Sequence, residues 1–180
     1  MSHFSPKLGV RLPLKHNNSK EPLLQGDFID SCPVVIPPAA IESAKVSADV
    51  IEYDVAVMSQ SCDLEQRKIA LVLVCPVWPL SKFEEKNSFF ESGRGKEALR
   101  QGNVLGYHLL NKCGTNGFKT GYLVVDFRSV YSVPFDFLLN LATKKGRRLR
   151  LLPPYREHLS QAFARFFMRV GLPVDIPSFS

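Results

Sequence analysis

The sequence predicts an α+β fold: a small twisted antiparallel sheet, or an SH3-like open barrel, capped by C-terminal helices. Three observations predict it. Val55-Ala56-Val57-Met58 and Ile69 to Val74 are all-apolar runs close together in the chain, the pattern of central strands covered on both faces. Phe135, Leu138, Leu139 and Ala142 fall at i, i+3, i+4, i+7, and the same spacing recurs from Tyr155 to Val170, as core-facing helices require. Strand signals and helix signals are also segregated along the chain instead of alternating, which favours α+β over a βαβ architecture.

The elements follow in order. Residues 1–24 are polar and proline-punctuated and read as an arm with little regular structure. A single domain covers 25–180: β-rich over 25–80, mixed over 81–133 and helical over 134–171. Gly26 supplies a turn, Phe28-Ile29 starts a strand, Val34-Val35-Ile36 extends or follows it, and Pro37-Pro38 ends it. Residues 39–45 are a small-residue loop. Val46 to Tyr53 alternates as a half-buried strand does. The buried strand over 55–58 ends in Ser59-Gln60-Ser61-Cys62-Asp63, where Asp63 is placed to N-cap a short helix over Leu64 to Lys68. Pro76 and Pro79 stop the second buried strand. Residues 81–103 read as short surface helices broken near Gly93 and Gly95. Tyr107 to Leu110 and Tyr122 to Phe127 form a hairpin across the turn 113–117, and Val130 to Val133 adds a short strand. Pro134 and Gly146 bracket the first C-terminal helix. Arg147 to Leu152 alternates as a basic-faced edge strand. Pro153-Pro154 opens the second helix, Gly171 closes it, and the rest is an extended, proline-rich tail.

Composition narrows the class. The chain has 180 residues, 45% apolar and 22% charged, with a net charge of +6, so it is neither collagen-like nor wholly disordered. Its longest apolar run, Ile69 to Leu80, carries two prolines and is too short to span a bilayer as a helix. Met1 to Ser19 holds Lys7, Arg11, Lys15 and His16 without a signal-peptide core, and the expectation is a cytoplasmic protein. The four cysteines, Cys32, Cys62, Cys75 and Cys113, form no CxxC pair. A zinc ribbon or finger is therefore excluded and free thiols are expected. No cofactor and no metal site is expected, although Asp27, Asp30 and Asp63 would supply carboxylates if the fold brought them together.

The charge is uneven. Residues 1–80 hold seven basic and nine acidic side chains, and residues 81–180 hold sixteen and eight. Five basic residues crowd into 144–150: Lys144, Lys145, Arg147, Arg148 and Arg150, with Arg156 just beyond. Such a cluster, if it forms one face, attracts phosphate backbones, and arginine suits bidentate contacts. The expected partner is nucleic acid, RNA ahead of DNA. The plainer account is that Lys144 and Lys145 complement a helix C-terminus and the arginines serve solubility. The aromatic stripe of the last helix (Phe163, Phe166, Phe167) gives the alternative: a non-catalytic interaction module or subunit, docking on a partner or across a homodimer. An acidic protein is a further candidate partner, and a membrane is not.

Chemistry-bearing residues are few. Ser59, Ser61 and Cys62 sit where a buried strand ends, a position from which a rigid element aims side chains. The same residues also suit a helix-capping turn. A nucleophile needs an activating partner, and His108 and His158 are the histidines outside the arm. His158 lies in the apolar stripe of the last helix, where a satisfied histidine at the core edge is the simpler reading. No GxSxG, HExxH, Walker or GxGxxG pattern occurs.

Two segments resemble the MazF/PemK family of toxin endoribonucleases. Gly26-Asp27-Phe28-Ile29 is similar to that family's opening strand. Val55-Ala56-Val57-Met58-Ser59 is similar to its buried strand ending in Ser or Thr, and Ile69 to Val77 to the strand that follows. The resemblance covers residues 24–80. It implies an SH3-like barrel, a dimer and metal-independent cleavage of single-stranded RNA, with Ser59 or Ser61 as the active-site hydroxyl. Tyr53-Asp54 stands where the family usually has Arg-Pro, and residues 37–48 offer only Lys45 where it relies on an arginine. Arg128 and His158 are then the candidates for acid/base or phosphate-binding groups. Lys144, Lys145, Arg147, Arg148, Arg150 and Arg156 are the candidates for nucleic-acid contact.

Overall fold

The computed structural model describes residues 14–17, 21–40, 47–115 and 118–168. The strands are β1 (Leu14–Asn17), β2 (Phe28–Ile36), β3 (Asp49–Val57), β4 (Leu71–Pro79), β5 (Tyr107–Leu110), β6 (Cys113–Thr115), β7 (Phe118–Thr120), β8 (Leu123–Asp126), β9 (Tyr131–Pro134) and β10 (Arg148–Leu151). The helices are α1 (Ser61–Glu65), α2 (Leu80–Lys86), α3 (Gly93–Arg100), α4 (Phe135–Lys145) and α5 (Tyr155–Phe167), with a 3-10 turn at Ser88–Glu91. The class is α+β, as the sequence predicts.

The main sheet runs β2-β3-β4-β8-β5, all antiparallel, and does not close into a barrel. β8 and β9 lie end to end along β4: Val77 pairs with Val125 and Val74 with Tyr131. The apolar runs at 55–58 and 71–77 are its central strands. Because successive side chains point to opposite faces, they feed two cores. Val55, Val57, Val72 and Val74 face α4, joining Leu138 and Ala142. Ala56, Met58, Cys75 and Val77 face the other way, joining Phe127, Leu149, Leu151 and Leu159 under α5 and β10. A third cluster of Phe83, Phe90, Leu99 and Val124 lies under α2 and α3. The alternation of valines with small or sulfur-bearing residues thus sets which helix covers which face.

Four expectations are corrected. Pro76 does not stop the second buried strand: β4 runs through it to Pro79, and Pro76 pairs with Val55. Leu14–Asn17 lies inside the arm expected to be irregular, yet forms β1 and pairs in register with β10. The helix expected over 64–68 starts earlier, at Ser61. Gln60 is its N-cap with no side-chain bond, and Asp63 stands in its first turn. The turn expected at 113–117 carries a short two-stranded ladder, β6 with β7. The arm's first thirteen residues, most of loop 39–45 and the tail from 169 lie outside the described residues.

Candidate functional site

The basic cluster is where the structure departs most from the sequence reading. β10 is buried along its whole length. Arg148 and Arg150 are 2% and 7% exposed and both grip Asp27, which is fully buried. Arg148 Nε donates to Asp27 Oδ2 at 2.8 Å, and Arg150 donates from Nε to Oδ1 and from Nη2 to Oδ2. Arg148 Nη2 also donates to the carbonyls of Glu21 and Pro22, Arg150 Nη2 to that of Pro22, and Arg150 Nη1 to the Glu21 carboxylate at 3.4 Å. These two arginines are therefore an internal clamp and not phosphate ligands. Alternation predicts a basic face only if that face meets water; here the chain at 21–27 covers it. Gly26 makes this possible. At φ +79 it donates to Val57 O and accepts from Leu151 N–H, and a Cβ there would meet Leu151 Cβ at 3.1 Å. Gly26-Asp27 is thus the joint between β3 and β10, and Asp27 is already committed where a shared metal would need it.

Lys144, Lys145 and Arg147 are exposed, as expected of nucleic-acid contacts. Arg156 is half-buried and donates to Glu157 at 2.7 and 3.1 Å. Lys145 stands near Cys32, whose thiol burial pushes up to about 11. That places the exposed trio at the α4 face of the sheet.

The catalytic candidates separate onto two flanks of α5. Ser59 is buried and accepts the Leu73 N–H at 2.8 Å, closing the β3–β4 ladder. Ser61 accepts the Gln25 N–H at 3.2 Å. Gln25 Nε2 donates in turn to Met58 O and to Ser160 Oγ on α5. At 3.6 residues per turn, Arg156 and Ser160 flank one side of the Leu159 stripe and His158, Gln161 and Arg165 the other. The serines therefore face Arg156 and Ser160, away from His158. Cys62 is exposed, with its Sγ 3.8 Å from Asp63 Oδ1. Among the described residues no group of three or more His, Cys, Asp or Glu is placed to hold a metal.

On the His158 flank lies a cleft of about 280 Å³ between β5, the segment leading into it, and α5. His108, His158 and Arg165 line it, with Tyr107 and Arg100. His108 shares its strand face with Leu110, so its ring points toward α5 and lies against Phe127, centroids 6.2 Å apart. Burial, and then the neighbouring His158, lower its pKa to about 4, so its imidazole is neutral at physiological pH. Arg128 lies over the Tyr107 ring at 5.5 Å and donates to its hydroxyl. Gly106 permits this arrangement: at φ +98, a Cβ would meet Arg128 Cγ at 3.1 Å and Phe166 Cε2 at 3.2 Å. Arg100 is neutralised by Glu97, whose carboxyl Arg100 and Gln101 hold down at about 2 by hydrogen bonding. Arg165 has no carboxylate partner among the described residues. The cleft thus joins a neutral histidine, an exposed histidine and Arg165, with Arg128 beside it on the Tyr107 ring.

No family model, curated protein or solved structure matches the chain. The cleft's chemistry is therefore read from its own residues. Of those the sequence singled out, His158 lines it, Arg128 stands beside it on Tyr107, and Ser59 and Ser61 do not reach it. Arg165, four and seven residues after Gln161 and His158, shares their helix face, a spacing legible in the sequence. The approach of His108 to α5 was not, because no local pattern reports which strand a distant helix covers.

Proposed function

We propose that this is a cytoplasmic RNA-binding protein that engages single-stranded RNA in the cleft between β5 and α5. The observation that carries the reading is the convergence there of His158, His108 and Arg165, with Arg128 beside them on the Tyr107 ring. The arginines match a phosphate, and the aromatic and imidazole rings offer stacking surface for unpaired bases. The free thiols of Cys32, Cys62 and Cys75 accord with a reducing compartment. The MazF/PemK resemblance supplies the reaction class, metal-independent cleavage at a phosphodiester. In that reaction a 2′-hydroxyl gives up its proton and attacks phosphorus, and the 5′-oxygen leaves with a proton. His158, exposed on the cleft wall, suits the proton transfers, and Arg128 and Arg165 suit the charge that builds on the phosphoryl oxygens.

The interaction-module alternative rests on the aromatic stripe. Leu159 is buried and Phe163 and Phe166 pack on Phe127, which leaves Phe167 and Met168 as the exposed remainder.

The test is anisotropy of a labelled single-stranded RNA at low salt, followed by a cleavage assay. Arg165→Glu is expected to weaken binding about tenfold or more, the scale of one lost and one repelled phosphate contact. His158→Ala is expected to bind RNA but abolish any cleavage that the wild type shows. Absence of wild-type binding at low salt ends the proposal.

A further inference from the structure

We propose that the outer half of β3 is a docking edge for a basic, extended peptide segment of another protein, which adds to the sheet as a strand. The proposal is independent of the RNA reading. β3 has two halves. Val55–Val57 is paired on both sides, with β2 and with β4. Among the described residues Asp49 to Tyr53 pairs only with β2, because the β4 ladder stops at the Val55–Pro76 pair.

Hydrogen-bond parity shows what that edge presents. Val57 N–H donates toward β2, to Asp27 O, and Met58 N–H donates toward β4, to Leu73 O. Pro33 has no N–H and stands opposite Glu52, which fits a pair that does not exchange hydrogen bonds. Odd-numbered residues of β3 therefore bond to β2. Val50 and Glu52 turn their N–H and C=O groups to the open edge, the template for an added strand.

Side chains identify the occupant. Val35 and Val50 are cross-strand partners, 64% and 63% exposed, and Ile51 is 41% exposed. Val35 and Val50 form an apolar patch on one face beside the edge, and Ile51 stands on the other face. Asp49, Glu52 and Asp54 are exposed around it. Over β2 and β3 the charged residues are Asp30, Asp49, Glu52 and Asp54, all exposed, with no Lys or Arg among them. This edge repels RNA and, by setting carboxylates against carboxylates, a second copy of itself. It attracts a strand in which Lys or Arg alternates with apolar residues.

The experiment uses the full chain and a labelled ten-residue peptide alternating lysine and valine. Anisotropy is expected to show saturable binding. Val50→Pro removes an N–H that faces the open edge, where proline is tolerated, and is expected to weaken binding at least tenfold with an unchanged far-UV spectrum. Glu52→Lys is expected to transfer preference to an alternating glutamate–valine peptide, and it decides the matter if Val50→Pro fails to fold. Three results would overturn the proposal. One is equal binding to wild type and Val50→Pro. Another is equal binding of a peptide with its lysines in one block. The third is a wild-type dimer in sedimentation that Val50→Pro dissociates, which would give the edge to a second copy.

Discussion

Asp27 shows how one residue decides the meaning of others far along the chain. Its carboxylate, fully buried, is the shared acceptor of Arg148 and Arg150, more than 120 residues away. Removing one member of a buried ionic cluster leaves charge without a partner, at a cost of about 3–5 kcal/mol. Asp27→Asn is therefore expected to lose about that much in urea unfolding. Replacing the trio together by Asp27→Leu, Arg148→Met and Arg150→Met is expected to recover most of it, because the apolar surroundings then match. A single variant as stable as the wild type would show that the Glu21 carboxylate and the Glu21 and Pro22 carbonyls suffice to hold the arginines. The sequence made Asp27 visible as part of a Gly-Asp turn and the arginines as part of a basic run. Nothing local joined them: a pairing across this separation is set by tertiary packing, and charge alone cannot say whether an arginine faces water or a carboxylate.

At the scale of elements, the strongly periodic pieces were legible. The apolar runs at 55–58 and 71–74, the hairpin strands at 107–110 and 123–126, and the helices from Phe135 and Tyr155 form where apolar period and Gly or Pro punctuation agree. β1 escaped notice because Leu14–Asn17 has no period of its own and is strand only by pairing with β10. The packing of α5 against β5 likewise half-buries His108 against Phe127, with a consequence for acid stability. The folded chain keeps His108 neutral until pH falls to about 4, whereas an unperturbed histidine takes its proton near 6.5. Between those values the unfolded state binds more protons, so stability contributed by the neutral ring is complete above that window and is lost as pH falls through it. His108→Gln removes this dependence. From pH 7 to pH 4.5 the wild type is expected to lose about 2–3 kcal/mol more than the variant in urea titrations. Parallel losses would mean that the ring is protonated in place and the β5–α5 packing yields to it.

Across the whole molecule, the basic residues do not converge on one face. α4 covers the Val55–Val57 side of the sheet and α5 covers the Ala56–Met58 side. Lys144, Lys145 and Arg147 at the end of α4 therefore stand across the sheet from Arg165 and His158 on α5, and Arg148 and Arg150 are sealed between. A strand short enough to occupy only the cleft should not sense the α4 end, whereas a long one can wrap to it. For a five-nucleotide RNA, Arg165→Glu is expected to reduce the slope of log affinity against log salt by about 1, and the combined reversal of Lys144, Lys145 and Arg147 to leave it unchanged. For a twenty-nucleotide RNA the triple reversal is expected to reduce the slope by about 2, since each single-strand phosphate contact contributes about 0.7. If the triple variant instead weakens the five-nucleotide probe and Arg165→Glu does not, the RNA lies on the α4 face. The two-histidine cleft would then have to serve some smaller anion.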